Sequence, residues 1–135
     1  MKDQVFGQCL CGAVSFSVAG ALDALYLCHC SRCRKDSGSA HSANLFAGDA
    51  TLCWSAGEDR VRVFRLAGTR HVKSFCAECG SALPYATGDG GAVVVPAGSL
   101  DSPVALRPRA HICHASRAAW DDDLASVPRI DGLPG

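Results

Sequence analysis

The sequence lacks any long hydrophobic run. Its longest aliphatic stretch, Val93-Val94-Val95, falls far short of the ~20 apolar residues a bilayer-spanning helix needs. It also lacks an excess of either charge: thirteen Lys+Arg meet thirteen Asp+Glu, for a formal net charge of zero. That balance gives no electrostatic reason to expect nucleic acid or an anionic membrane as a partner. The opening residues, Met1-Lys2-Asp3-Gln4-Val5-Phe6-Gly7, carry no apolar stretch of the kind an export signal requires. No Ser/Gly linker, charge block or fixed-period repeat divides the chain, so residues 1–135 read as a single domain. Charged residues are only 19% against 48% apolar, which excludes a disordered chain.

What the chain does have is cysteine. Nine are present, an odd number and too sparse for a disulfide scaffold of this length. With no export signal the expected location is the cytoplasm, where disulfides are rare and clustered cysteines more often bind metal.

Gly and Pro punctuate the sequence throughout, leaving short stretches between them. Ala13 to Ala19 alternates, with Val14, Phe16 and Val18 on one face and Ser15 and Ser17 on the other, as a half-buried strand does. Leu25–Leu27, Thr51–Trp54, Arg60–Leu66, Val72–Phe75, Ala92–Val95 and Ala110–Cys113 are further strand candidates. One helix is expected, Ser31 to Ser37, capped by Ser31 and ended by Gly38. After Trp120 the Asp121-Asp122-Asp123 run and later prolines predict an irregular surface tail. The expected fold is mainly β, with twisted antiparallel sheets and one short helix after the middle cysteine group.

Seven cysteines form three tight groups: Cys9-x-Cys11, Cys28-x-Cys30-x-x-Cys33 and Cys76-x-x-Cys79. Zinc favours thiolates in a tetrahedron, and two cysteines in one tight turn can share an ion. Gly12 follows Cys11 and Gly80 follows Cys79, so each of these turns can adopt positive φ and aim amides at sulfur. The middle group has Arg34 in that place. Cys9, Cys11, Cys76 and Cys79 are therefore read as a closed structural Zn2+ site. Cys28, Cys30 and Cys33 are read as three ligands of a second, catalytic Zn2+ with an open position. His29 or His41 as a fourth ligand, or a Cys30/Cys33 redox pair, remain alternatives. Cys53 and Cys113 lie in apolar strand candidates and read as buried small hydrophobes.

In order, Gly7-x-Cys9-x-Cys11-Gly12-Ala13-Val14-x-Phe16, Cys28-His29-Cys30-Ser31-x-Cys33-Arg34-Lys35, Ser37-Gly38-Ser39-Ala40, Phe75-Cys76-x-x-Cys79-Gly80-Ser81 and His111-Ile112 with Trp120 resemble the glutathione-dependent formaldehyde-activating enzyme family, which includes centromere protein V. The resemblance runs over roughly residues 5 to 130. It implies a β-rich fold shared with a small Rab-binding zinc protein. It implies zinc on the same two cysteine sets, and carbon–sulfur lyase chemistry of the kind that joins formaldehyde and glutathione into S-hydroxymethylglutathione.

On that basis His41, a few residues past the helix, is the expected proton carrier. Arg34 and Lys35, with Arg32, are the expected receivers of a substrate carboxylate. His29, between two ligands, is expected to point away from the metal, and His111, Trp54 and Trp120 to serve packing. The expected partner is a small-molecule thiol such as glutathione, with no nucleic acid or membrane; the sequence leaves the oligomeric state open. The competing reading is a zinc-stapled protein-binding module with both ions structural.

Overall fold

Strand β1 (Gln4–Gln8) turns back through the first cysteine pair and lies antiparallel to β2 (Ser15–Ala19), with Gln4 opposite Ala19 and Gln8 opposite Ser15. The computed structural model describes residues 3–87 and 92–135, so Met1 and Lys2 of the amino-terminal stretch lie outside the described residues. Next come β3 (Ala24–Cys28), the helix α1 (Ser31–Ser37), β4 (Ser42–Ala47) and β5 (Thr51–Ala56). They are followed by β6 (Val61–Arg65), β7 (Val72–Cys76), the two-residue strands β8 (Ala82–Leu83) and β9 (Tyr85–Ala86), β10 (Val93–Pro96) and β11 (Pro108–Ile112).

The described residues form three sheets, in the orders β1-β2-β5, β11-β3-β4-β10-β9 and β6-β7-β8. A single bridge between Gly7 and Leu100 links the first sheet to the segment beyond β10. The mainly-β expectation with one short helix holds. Within the sheets one pair departs from it: β11 runs parallel to β3, His111 opposite Leu27 and Ile112 opposite Cys28. A parallel neighbour needs a long crossover, and here most of the chain intervenes between the two strands.

The core is built from Phe16 and Val18 of β2, Leu45 of β4, Leu83 of β8, and Val93 and Val95 of β10, all almost fully buried. Each such side chain contributes roughly 1.5–3 kcal/mol on leaving water. Cys9 and Cys76 are buried in the same cluster. Trp54 packs edge-on against Phe16 at 6.0 Å between ring centroids.

Several expectations need correcting. Ser17 is buried although it lies on the opposite face from Phe16, flanked across the sheet by Phe6 on one side and Cys53 on the other. Cys53 is exposed, since β5 is an edge strand that turns Leu52 and Trp54 inward and Cys53 outward. Cys113 is also exposed; it lies just past β11 with φ of 53°, where the chain leaves the sheet. Trp120 is 65% exposed rather than packed. The tail beyond it is irregular, as expected, apart from one short 3₁₀ turn at Leu124–Ser126. Among the described residues no helix is long and apolar enough to cross a membrane.

Candidate metal centres and cleft

The first centre forms where the β1–β2 turn meets the turn after β7. The sulfurs of Cys9, Cys11, Cys76 and Cys79 all lie within 4.8 Å of one another. Cys9 and Cys11 Sγ are 3.6 Å apart, and Cys11 and Cys76 Sγ 3.9 Å. A tetrahedron of sulfurs at ~2.3 Å from zinc has edges of about 3.8 Å, which these separations bracket.

The turns are shaped for thiolates. Gly12 and Gly80 adopt φ of 81° and 77°, as their positions after the second cysteine predict. Gly12 N–H donates to Cys9 O and Gly80 N–H to Cys76 O, closing each turn. The Val14 amide donates to Cys9 Sγ and the Glu78 amide to Cys76 Sγ, both at 3.3 Å. Ser81 Oγ accepts from the Leu10 amide at 2.8 Å and lies 3.2 Å from Cys79 Sγ, bridging the two turns. The Ser81 hydroxyl and amide hold the Cys79 thiol down at about 5. Cys11 behaves oppositely: the Ala13 amide favours its thiolate, but burial and the neighbouring sulfurs push it up to about 11. Four thiolates packed this closely need a cation to ionise together, and a d¹⁰ zinc ion suits the donor set.

The second centre joins the end of β3 to the start of α1. Cys28, Cys30 and Cys33 sulfurs lie within 4.8 Å of one another, and among the described residues no fourth Cys, His, Asp or Glu atom joins the group. The helix cap is Cys30 and not Ser31: Cys30 is extended at φ −64°, ψ 156°, and its sulfur accepts from the Cys33 amide at 3.3 Å. A thiolate accepts hydrogen bonds as a serine hydroxyl does, so the cysteine itself caps the helix. Gly38 ends α1 in the left-handed region, as expected. Burial raises the Cys28 thiol, against the opposing Cys30 amide. Burial also raises Cys33, with Ser42 opposing. At Cys30 burial is outweighed by the Cys33 amide and the neighbouring thiols, and the group is lowered.

These three cysteines open on a cleft of about 1040 Å³. Arg32 and His41 also line it. His41 Nδ1 is buried and, among the described residues, has no hydrogen-bond partner. On another wall Asp36, one turn beyond Cys33, accepts from Lys73 Nζ at 3.1 Å and lies 2.7 Å from His71 Nε2. Arg70 lines the cleft, and neither it nor Arg32 has an ion-pair partner among the described residues. Tyr85 lines it too; burial, then the negative charges of Cys33 and Asp36, raise its phenol above the ordinary tyrosine range.

Arg34 and Lys35 border a different, smaller cleft of about 310 Å³, together with Trp120. On a seven-residue helix the 100° step per residue sends neighbours to different sides, so Arg32 and Arg34 part company. Sequence reasoning missed Arg70, Lys73, the Asp36–His71 pair and Tyr85. Lys73 and Tyr85 sit in ordinary strand pattern, and only the tertiary fold brings them to Cys33.

His29 takes no part in the thiol cluster. It is fully buried, with Nε2 2.8 Å from His111 Nδ1 and Nδ1 3.1 Å from Asp121 Oδ2. The rings of His41 and His114 pack against it, each 5.1 Å between centroids.

A crystal structure of a Rhodobacter sphaeroides protein has a similar fold, with a TM-score of 0.51 at 23% identity over 74% of this chain and 91% of that one. No curated protein matches the chain. The sequence model of the glutathione-dependent formaldehyde-activating enzyme family matches residues 4–116, most of the chain and all seven clustered cysteines, and the protein belongs to that family.

Proposed function

We propose that the protein is a zinc-dependent enzyme of carbon–sulfur lyase type, joining a small aldehyde such as formaldehyde to a thiol such as glutathione and reversing that reaction. Family membership supports a glutathione-related, formaldehyde-activating role. The observation that carries the finer reading is the set Cys28, Cys30 and Cys33 on the cleft wall, three sulfurs with no fourth ligand among the described residues. Three protein ligands are the catalytic pattern, whereas four close a structural site. The same observation weighs against the binding-module reading, which needs the second site closed.

Zinc held by three thiolates would supply a position for a substrate sulfur or a carbonyl oxygen. The reaction forms one C–S bond, breaks the C=O π bond, and moves one proton from sulfur to oxygen. His41 suits the proton transfer, because its imidazole borders the cleft and is uncommitted at Nδ1. Tyr85, kept protonated, offers a neutral O–H to the oxygen that gains charge. Arg32 and Arg70 match the two carboxylates of glutathione. Lys73 is already committed to Asp36. Zinc itself and a cytoplasmic location belong to this reading.

The test is exchange NMR on mixtures of formaldehyde and glutathione. Zinc-loaded protein is expected to accelerate adduct exchange, and Cys33→Ser to abolish the acceleration. Equal exchange with wild type, variant and buffer would refute the activity.

A further inference from the structure

We propose that Asp121 and His111 are positioning residues for the Cys28–Cys30–Cys33 site, acting through the buried imidazole of His29. The inference rests on the reading that these three thiols hold a metal ion. It adds a part of the chain that this reading does not use, including a residue beyond the family-matched segment, which ends at residue 116.

His29 is the link because of where it sits. It lies between two of the three cysteines, one ending β3 and the other capping α1. Its position is therefore shared with both thiols. The backbone is tied on one side: His29 N–H donates to Ile112 O at 2.9 Å, continuing the parallel pairing of β3 with β11. The ring is tied on the other, through His111 Nδ1 at 2.8 Å.

His29 Nε2 and His111 Nδ1 are only 2.8 Å apart, so one of the two carries the proton and the other accepts it. A neutral imidazole has one donor and one acceptor nitrogen. The Asp121 carboxylate lies 3.1 Å from Nδ1, at an angle poorer than a hydrogen bond but close enough to favour the N–H there. Nε2 is then the acceptor, and His111 must donate from Nδ1. The carboxylate thus fixes the direction of the bond between His29 and β11. Without Asp121 the ring proton can move to Nε2, the bond persists only when His111 changes tautomer as well, and the anchor of the ligand turn loses its single fixed arrangement. Groups outside the ligand set that hold the ligands in place commonly cost ~10–100-fold in metal affinity when removed. The side chain of Asp121 is 11% exposed and reaches His29 from the tail, so the tail is tied to the turn that carries the cysteines.

The test loads the full chain with Cd2+ and records cadmium-113 NMR, which distinguishes a four-thiolate from a three-thiolate site, together with the rate of metal loss to a chelator. Asp121→Ala and His111→Leu are expected to shift or broaden the three-thiolate resonance and to speed loss from that site by roughly 10–100-fold. The four-thiolate resonance should not move. His111→Asn, which places an amide N–H near the former Nδ1, should restore much of the wild-type behaviour. A general loss of packing would disturb both resonances, and that result overturns the inference. So do two resonances and release rates equal to wild type in Asp121→Ala. A wild-type spectrum with a single resonance would overturn the three-thiolate site itself and the inference with it.

Discussion

Cys11 Sγ lies 3.9 Å from Cys76 Sγ although 65 positions separate them in the chain. The first cluster thus ties the β1–β2 turn to the end of β7, and two of its cysteines, Cys9 and Cys76, are buried with the apolar core. Structural zinc supplies folding free energy on the order of 10 kcal/mol in small zinc domains. Cys76→Ser should therefore lose one metal equivalent and unfold cooperatively at much lower temperature, or fail to fold. Cys33→Ser should also lose one equivalent, yet keep a melting transition close to wild type while losing activity. Calorimetry with metal analysis separates the two. Equal destabilisation by both variants would contradict the division into a structural and a catalytic site.

Gly7 of β1 sits opposite Phe16 and is bridged to Leu100. A Cβ at this position would collide with the Ser99 carbonyl oxygen and the Phe16 ring. The Ser99 backbone cannot move without disturbing that bridge. Gly7→Ala is expected to destabilise the fold by about 1–3 kcal/mol, the usual cost of overpacking a filled site. Denaturant unfolding at fixed zinc would show it as a lower midpoint with unchanged slope.

Much of this architecture was legible in the sequence because its signals are local. Cysteine spacing with a following glycine marks the two turns of the first site, and Gly38 marks the helix end. The Val14-Phe16-Val18 alternation marks β2. What was not legible depends on long-range placement. Cys53 and Cys113 share apolar surroundings in sequence with buried residues, and only edge position and a left-handed turn expose them. Four of the five histidines, His29, His41, His111 and His114, give no periodic signal, yet the fold gathers them around the parallel β3–β11 pairing. Arg34 and Lys35 adjoin Cys33 in sequence, while Arg70 and Lys73 are far from it and come to its cleft.

Asp36 joins α1 to β7 by accepting from Lys73 and pairing with His71. The side chains of all three are roughly a fifth exposed or less. Removing the carboxylate charge leaves two basic groups without their partner in a half-buried setting. Asp36→Asn should cost about 1–3 kcal/mol, more than an exposed ion pair is worth. Lys73→Met should cost less, since Asp36 retains His71. A double-mutant cycle by urea denaturation measures the coupling, and a value near zero would reduce this contact to surface charge.

Arg32 and Arg70 border the cleft of the three thiols, whereas Arg34 and Lys35 border the smaller one beside Trp120. If the cleft cations receive the substrate carboxylates, Arg32→Gln and Arg70→Gln should each raise KM for glutathione by roughly 10-fold, the loss of one charge-assisted contact worth ~1.5 kcal/mol or somewhat more. Turnover at saturating thiol should stay close to wild type, because binding to a remote carboxylate is the same in ground and transition states. Arg34→Gln and Lys35→Gln should leave both parameters unchanged. The thiol analogue β-mercaptoethanol, which has no carboxylate, provides the control: its KM should not respond to either cleft arginine. A KM that rises in Arg34→Gln and not in Arg70→Gln would move the carboxylate site to the Trp120 side of the helix.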